Sequence, residues 1–192
     1  MDKQAAQAKL IEILQHAYSG ELAAALAYGG HWKSLNDETE RAEVKRIEED
    51  ELHHRARIGQ MLTELNAAPD PRLEHKLRRI GATIAALCRV GGWFIPMYGA
   101  GRLESPNIKE YEDAARCAWI AGRVEWVDEL LTWAEVEWDH ERYFRVKCES
   151  HWLRHVFPMW KAPPARETIH VSFEAFKRET GQPQVLAADG RG

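Results

Sequence analysis

Apolar residues recur at helical spacing along most of this chain. Between residues 3 and 33, Leu10, Leu14, Tyr18, Ala25 and Tyr28 share one side, and the pattern breaks at Ser34 to Asp37. A second helix is predicted from Glu38 to Asn66, carried by Val44, Ile47, Ile58, Met61 and Leu65 and stopped by the prolines at Pro69 and Pro71. The third segment reads as one long element from Leu73 to Ile120, bent where Pro96 and Pro106 remove backbone donors. Gly122 marks a turn into a fourth helix, Val124 to Ser150, rich in tryptophan and carboxylate. Residues 151 to 164 are aromatic and broken by prolines, Ser172 to Thr180 suits one short helix, and Gly181 to Gly192 suits a frayed polar end. Nothing reads as a pair of strands. The expectation is all-α: one helical domain over residues 1–150 with a C-terminal extension over 151–192.

Three of the predicted helices carry a glutamate inside their apolar stripe, where an uncompensated carboxylate is costly. Glu21 lies one turn from both Tyr18 and Ala25. Glu51 and His54 fall between Ile47 and Ile58, and Glu137 and His140 between Trp133 and Phe144. Glu-x-x-His sets a carboxylate and an imidazole side by side on one helix face. Two such pairs, with one glutamate from each of two further helices, form the set that holds a pair of iron ions in helical bundles. The third segment offers Glu104, Glu110 and Glu112. Residues equidistant from a tight turn between antiparallel helices lie at equal height, and Glu21 and Glu51 each stand 15 positions from Asn36. Glu137 stands 15 after Gly122, whereas Glu104, Glu110 and Glu112 stand 18, 12 and 10 before it. At ~1.5 Å rise per residue these offsets are similar, so height alone does not choose among the three.

Other pairs of this type read as solvated, Asp50 with His53 among them. His16, His31, His75, His151, His155 and His170 read as surface or hydrogen-bonding residues, with His31, one turn beyond Tyr28, a candidate to support a ligand. Tyr28, Trp133 and Trp138 read as packing.

Composition narrows the function. A net charge of −4 gives no basic footprint for nucleic acid. Cys88, Cys117 and Cys148 form no CxxC pair, which argues against a zinc ribbon, a disulfide framework or a rubredoxin-like module and suits a reducing compartment. The polar N-terminus does not read as a signal peptide, so a cytoplasmic protein is expected. The apolar stretch Ile80 to Gly101 contains Arg89, Gly91, Gly92 and Pro96, and reads as a buried or interfacial helix that leaves room for peripheral membrane contact.

The first helix, YSGELAAALAYGGH, and the second, IEEDELHHRARIGQML, resemble the demethoxyubiquinone hydroxylase branch of the ferritin-like di-iron proteins. Gly20-Glu21, Tyr28 and His31 match that family's first motif, and Glu137 and His140 its fourth-helix Glu-x-x-His. The family's third-helix ligand precedes a tyrosine by about two turns, as Glu104 precedes Tyr111, so the resemblance favours Glu104. Around it, MYGAGRLESPNIKEY departs from the family pattern, with Pro106 two residues on and Glu110-Tyr111 in place of a histidine-tyrosine pair. The resemblance covers roughly residues 10 to 148.

It implies a ferritin-like four-helix bundle with two irons, or manganese in their place, on Glu21, Glu51, His54, Glu104, Glu137 and His140. Glu51 and the third-helix glutamate would bridge or chelate the two irons, with His54 and His140 each on a separate metal and Glu21 and Glu137 completing the set. The implied activity is a monooxygenase that takes dioxygen, electrons from a donor and a quinone-like or other apolar substrate. Iron oxidation for storage or detoxification would use the same ligands without an organic substrate. A third reading is a binding module with an aromatic patch at Trp152, Phe157, Met159 and Trp160. Assembly of the chain into a homo-oligomer is compatible with each.

Overall fold

A computed structural model describes residues 1–181, and the expected frayed end lies outside them beyond Gly181. It contains α1 (Lys3–Ser34), α2 (Glu38–Glu64), α3 (Pro71–Cys88), α4 (Phe94–Ala121), α5 (Val127–Glu149) and α6 (Thr168–Thr180). Short 3₁₀ turns lie at Val124–Trp126 and Trp152–His155, and no strand occurs among the described residues. The fold class is all-α.

Local chemistry explains the boundaries. Asp2, Asp37 and Asp70 each accept a hydrogen bond from a first-turn N–H of α1, α2 and α3, and Pro71 opens α3 where a missing N–H costs nothing. α4 ends on Gly122, whose φ of 81° lets Arg123 N–H return to the Ala118 carbonyl at 2.8 Å.

The third segment is two helices rather than one. The chain breaks between Arg89 and Trp93, at Gly91 and Gly92, not at Pro96. Pro96 is the third residue of α4, where the N–H would have no partner within the helix, and α4 continues through Pro106. α6 begins four residues earlier than the expected Ser172.

α1 packs against α2, α3 and α4, and α4 packs against α5. The contact of α1 with α3 is made by backbone: a Cβ at Gly30 would lie 2.4 Å from the Ala85 Cα, and one at Gly81 2.4 Å from the Ala23 carbonyl oxygen. Small residues at this crossing bring the two helices closer than ordinary side chains allow.

The core has two apolar parts. One, built from Leu10, Leu14, Ile58, Leu62, Ala118, Leu130 and Leu131, is closed over by Ile169 and Phe173 of α6. The other, built from Tyr28, Val44, Ile47, Phe94, Met97, Phe144 and Cys148, receives Leu153, Phe157, Met159 and Trp160 from the segment after α5. Thus Phe157, Met159 and Trp160 are largely covered, and of the expected aromatic patch only Trp152 stands in solvent, at 69% exposure. No helix among the described residues is long and apolar enough to cross a membrane.

Candidate metal centre

Between the two apolar parts, α1, α2, α4 and α5 each turn charged side chains inward. Glu21, Glu51, His54, Glu104, Glu137 and His140 are all buried, with none more than 4% exposed. They form two groups, Glu21–Glu51–His54–Glu137 and Glu51–Glu104–Glu137–His140, within each of which the donor atoms lie no more than 4.8 Å apart. The structure therefore brings together all six residues singled out in the sequence.

Glu51 and Glu137 belong to both groups, while Glu104 belongs to one. Glu104 stands beside Tyr28, whereas Glu137 has a donor atom in each group. Glu137 Oε1 lies 3.3 Å from His54 Nδ1 in one group, and its Oε2 shares the Asn107 amide with Glu104 Oε2 in the other, at 3.2 Å each. His140 Nδ1 lies 3.4 Å from Glu51 Oε1. Glu110 and Glu112 face elsewhere, onto His16 at 2.7 Å and Ser172 at 3.0 Å, which leaves Glu104 as the α4 member.

Four carboxylates and two imidazoles in one buried layer cannot all be ionised without compensation. Burial, and then the charge of a neighbouring glutamate, pushes Glu21, Glu51 and Glu104 well above the ordinary carboxylate range. Glu137 carries the same burial penalty but is drawn down to about 2 by the close polar contacts of His54 and Glu104 and by the charge of His140. Burial opposes charge on His140 too, yet its bond to Asp50 and the nearby Glu137 raise it above the ordinary histidine value.

Many of the donor atoms are unpaired within the protein. Glu21 Oε2, both oxygens of Glu51, His54 Nδ1, Glu137 Oε1 and His140 Nδ1 are buried and lack a hydrogen-bond partner. Buried polar atoms are ordinarily satisfied, and six unsatisfied ones converging on one layer suit a cation as the missing partner. The described residues could hold a metal ion in each group. Carboxylate oxygen and imidazole nitrogen are the donor set of first-row transition ions.

Neighbouring groups hold the donors in place. Asp50 Oδ2 lies 3.1 Å from His140 Nε2, which turns Nδ1 toward the cluster, and Arg46 anchors Asp50 at 2.6 Å. Asp50 is thus not the solvated residue expected, and nothing in its spacing announced this, since it reaches His140 across a helix interface. The Tyr111 hydroxyl donates to Glu21 and the Tyr28 hydroxyl to Glu104, so Tyr28 does more than pack. Trp133 stands 4.9 Å from the His54 ring, while Trp138 turns outward and donates to the Pro164 carbonyl. Asn107 was missed, although its place three residues after Glu104 on the same helix face was a usable signal. His31 is buried against Phe144, and burial lowers it to about 4, which keeps it neutral near pH 7.

An apolar pocket of about 270 Å³ opens between α1, α3 and α4 and ends on Tyr28, Glu104 and Asn107. Its walls are Ala24, Ala27 and His31 of α1, Ile84, Leu87 and Cys88 of α3, and Ile95, Gly99, Ala100 and Leu103 of α4. Comparison of the chain with protein-family models, with curated proteins and with solved structures gives no match.

Proposed function

We propose that this protein is an oxygen-activating di-iron monooxygenase of the ferritin-like four-helix type, acting on a small apolar substrate of the quinone-like kind. The observation that carries the reading is the contact between two features: a pair of overlapping Glu/His groups and an apolar pocket that ends on one member, Glu104. Iron oxidation without an organic substrate would use the same ligands, and it gives the pocket no task. The resemblance of α1, α2 and α5 to the demethoxyubiquinone hydroxylases points the same way.

In this reading Glu21 and His54 would hold one ion and Glu104 and His140 the other, with Glu51 and Glu137 available to both. The bound pair supplies the capture and reduction of dioxygen. Inserting one oxygen atom into a C–H bond and releasing the other as water consumes two electrons and two protons, so an external electron donor is required. The protein's own residues do the rest. Asp50 fixes the His140 ring, and Tyr111 and Tyr28 orient Glu21 and Glu104 through their hydroxyls. Tyr28 holds its proton on Glu104 at the end of the pocket, and the aliphatic walls keep water from the reacting edge of the substrate.

The pocket mouth suggests where such a substrate comes from. Leu87, Ile95 and Leu103 of its lining are 47–57% exposed, and Val90, just beyond α3, is 81% exposed. No Asp or Glu occurs between Glu74 and Glu104, while Lys76, Arg78, Arg79, Arg89 and Arg102 do. Exposed apolar residues in a stretch of chain that carries basic residues and no acidic one suit peripheral contact with an anionic bilayer, from which an apolar molecule could enter. The three unpaired, buried thiols suit the cytoplasm.

The test is metal content after anaerobic iron reconstitution, in wild type and in a Glu51→Ala, His140→Ala double variant. About two irons per chain, lost in the variant, is the expected result and the basis for screening quinones with a reductant. No retained metal in the wild type would overturn the reading.

A further inference from the structure

Asn107 stands where the pocket meets the charged layer. It lies three residues after Glu104 on α4, is half-buried, and is the only amide side chain in the pocket wall. Its Nδ2 lies 3.2 Å from Glu104 Oε2 and 3.2 Å from Glu137 Oε2. With both carboxylates ionised, as metal binding would require, the nitrogen is the atom that has to face inward, because an amide oxygen there would meet two acceptors and no donor.

This contact bears on how Glu137 is posed. With Oε2 tied to Asn107 beside Glu104, Oε1 is left at 3.3 Å from His54 Nδ1 and has no hydrogen bond within the protein. The two oxygens of one carboxylate are thereby divided between the two donor groups. Glu137 belongs to both groups, and a carboxylate spread in this way offers one oxygen to each. Glu51, the other shared residue, has both oxygens without a hydrogen-bond partner, so Glu137 is the shared carboxylate that the protein itself orients.

We propose that Asn107 is a positioning residue that holds Glu137 as a bridge between two metal ions. The inference rests on the reading of the cluster as a dimetal centre. Its neutral amide does this without adding charge to a layer already rich in carboxylate, which an arginine or lysine at the same place would alter.

The experiment uses manganese(II) as the probe, titrated into the full-length metal-free protein, with stoichiometry from calorimetry and coupling between the ions from electron paramagnetic resonance. Asn107→Leu keeps the shape and removes the donor. Asn107→Gln keeps the donor on a longer arm, and circular dichroism checks the helix content of both. Wild type is expected to bind two manganese ions per chain with a coupled spectrum. Asn107→Leu should bind one ion nearly as well and the other about 10–100-fold more weakly, with the coupled signal lost. Asn107→Gln should restore part of the coupling, which a merely structural role would not do. An unchanged coupled spectrum in a folded Asn107→Leu protein overturns the role of Asn107 and leaves the dimetal reading standing. If Asn107→Leu does not fold, Asn107→Ala takes its place with the same readings: loss of the coupled signal supports the role, and an unchanged coupled spectrum overturns it. Absence of manganese binding in wild type overturns the dimetal reading itself.

Discussion

The charged layer divides this protein into two ends that are built differently. On the α6 side, Leu10, Leu14, Ile58, Leu62, Leu130 and Leu131 are fully or almost fully buried, and α6 closes the end with Ile169 and Phe173. On the other side the packing is aromatic, through Tyr28, Phe94 and Phe144, and the space between α1, α3 and α4 remains open down to Glu104. One end supplies stability and the other supplies access. A buried layer of four carboxylates is tolerable beside the closed end because that end is well packed, and it is useful beside the open end because a ligand can reach it.

The largest effect expected from breaking this contrast is at the closed end. Leu130→Ala removes a fully buried side chain from close-packed surroundings and should cost about 2–5 kcal/mol in urea unfolding. Leu103→Ala, at the mouth of the open end and 56% exposed, should change stability by no more than about 0.5 kcal/mol. Equal losses at the two sites would remove the distinction.

Next in size is the support of the layer itself. Asp50→Ala frees the outer nitrogen of His140 and should weaken metal binding by about 10–100-fold, read by competition with a chelator, while the helix content stays the same.

Acidity separates the two ends further. Glu21, Glu51 and Glu104 of the metal-free protein have carboxyls raised above the ordinary 4.5, so the folded state holds more protons than the unfolded chain above that pH. Their contribution is therefore present at low pH and is lost as pH rises through their folded values. His31 acts oppositely: lowered from 6.5 to about 4, it adds stability that is lost as pH falls through that window. Thermal melts of metal-free protein should show stability declining toward alkaline pH, and His31→Leu should remove part of the loss on the acid side. Metal loading should flatten the alkaline decline, since metal replaces protons on the carboxylates.

The smallest effect on stability, and a separate one on location, is expected at the rim. Leu87→Ala with Val90→Ala should leave the melting temperature nearly unchanged and reduce sedimentation with anionic vesicles, each removed side chain contributing ~1 kcal/mol or more of membrane burial. Undiminished sedimentation would turn attention from this rim to another surface.

The sequence by itself determined the helical class and the inward-facing residues. A carboxylate and a histidine at i and i+3 inside an apolar stripe must face the core once the segment is a helix, so Glu51, His54, Glu137 and His140 were legible from periodicity alone. Glu21 and Glu51 were matched in height because the turn at residues 35–37 is short, and chain length then stands in for distance. Only the tertiary structure decided what depends on several helices at once. It chose Glu104 over Glu110 and Glu112, because rotation about α4, and not height, sends one inward and the others to His16 and Ser172. It put Glu51 and Glu137 in both donor groups, placed Asp50 behind His140, and split the third segment at Gly91 and Gly92. A one-dimensional pattern records which face of its own helix a residue occupies. How far each helix is turned and shifted against its neighbours is set by packing between them, and that information is distributed over the whole core.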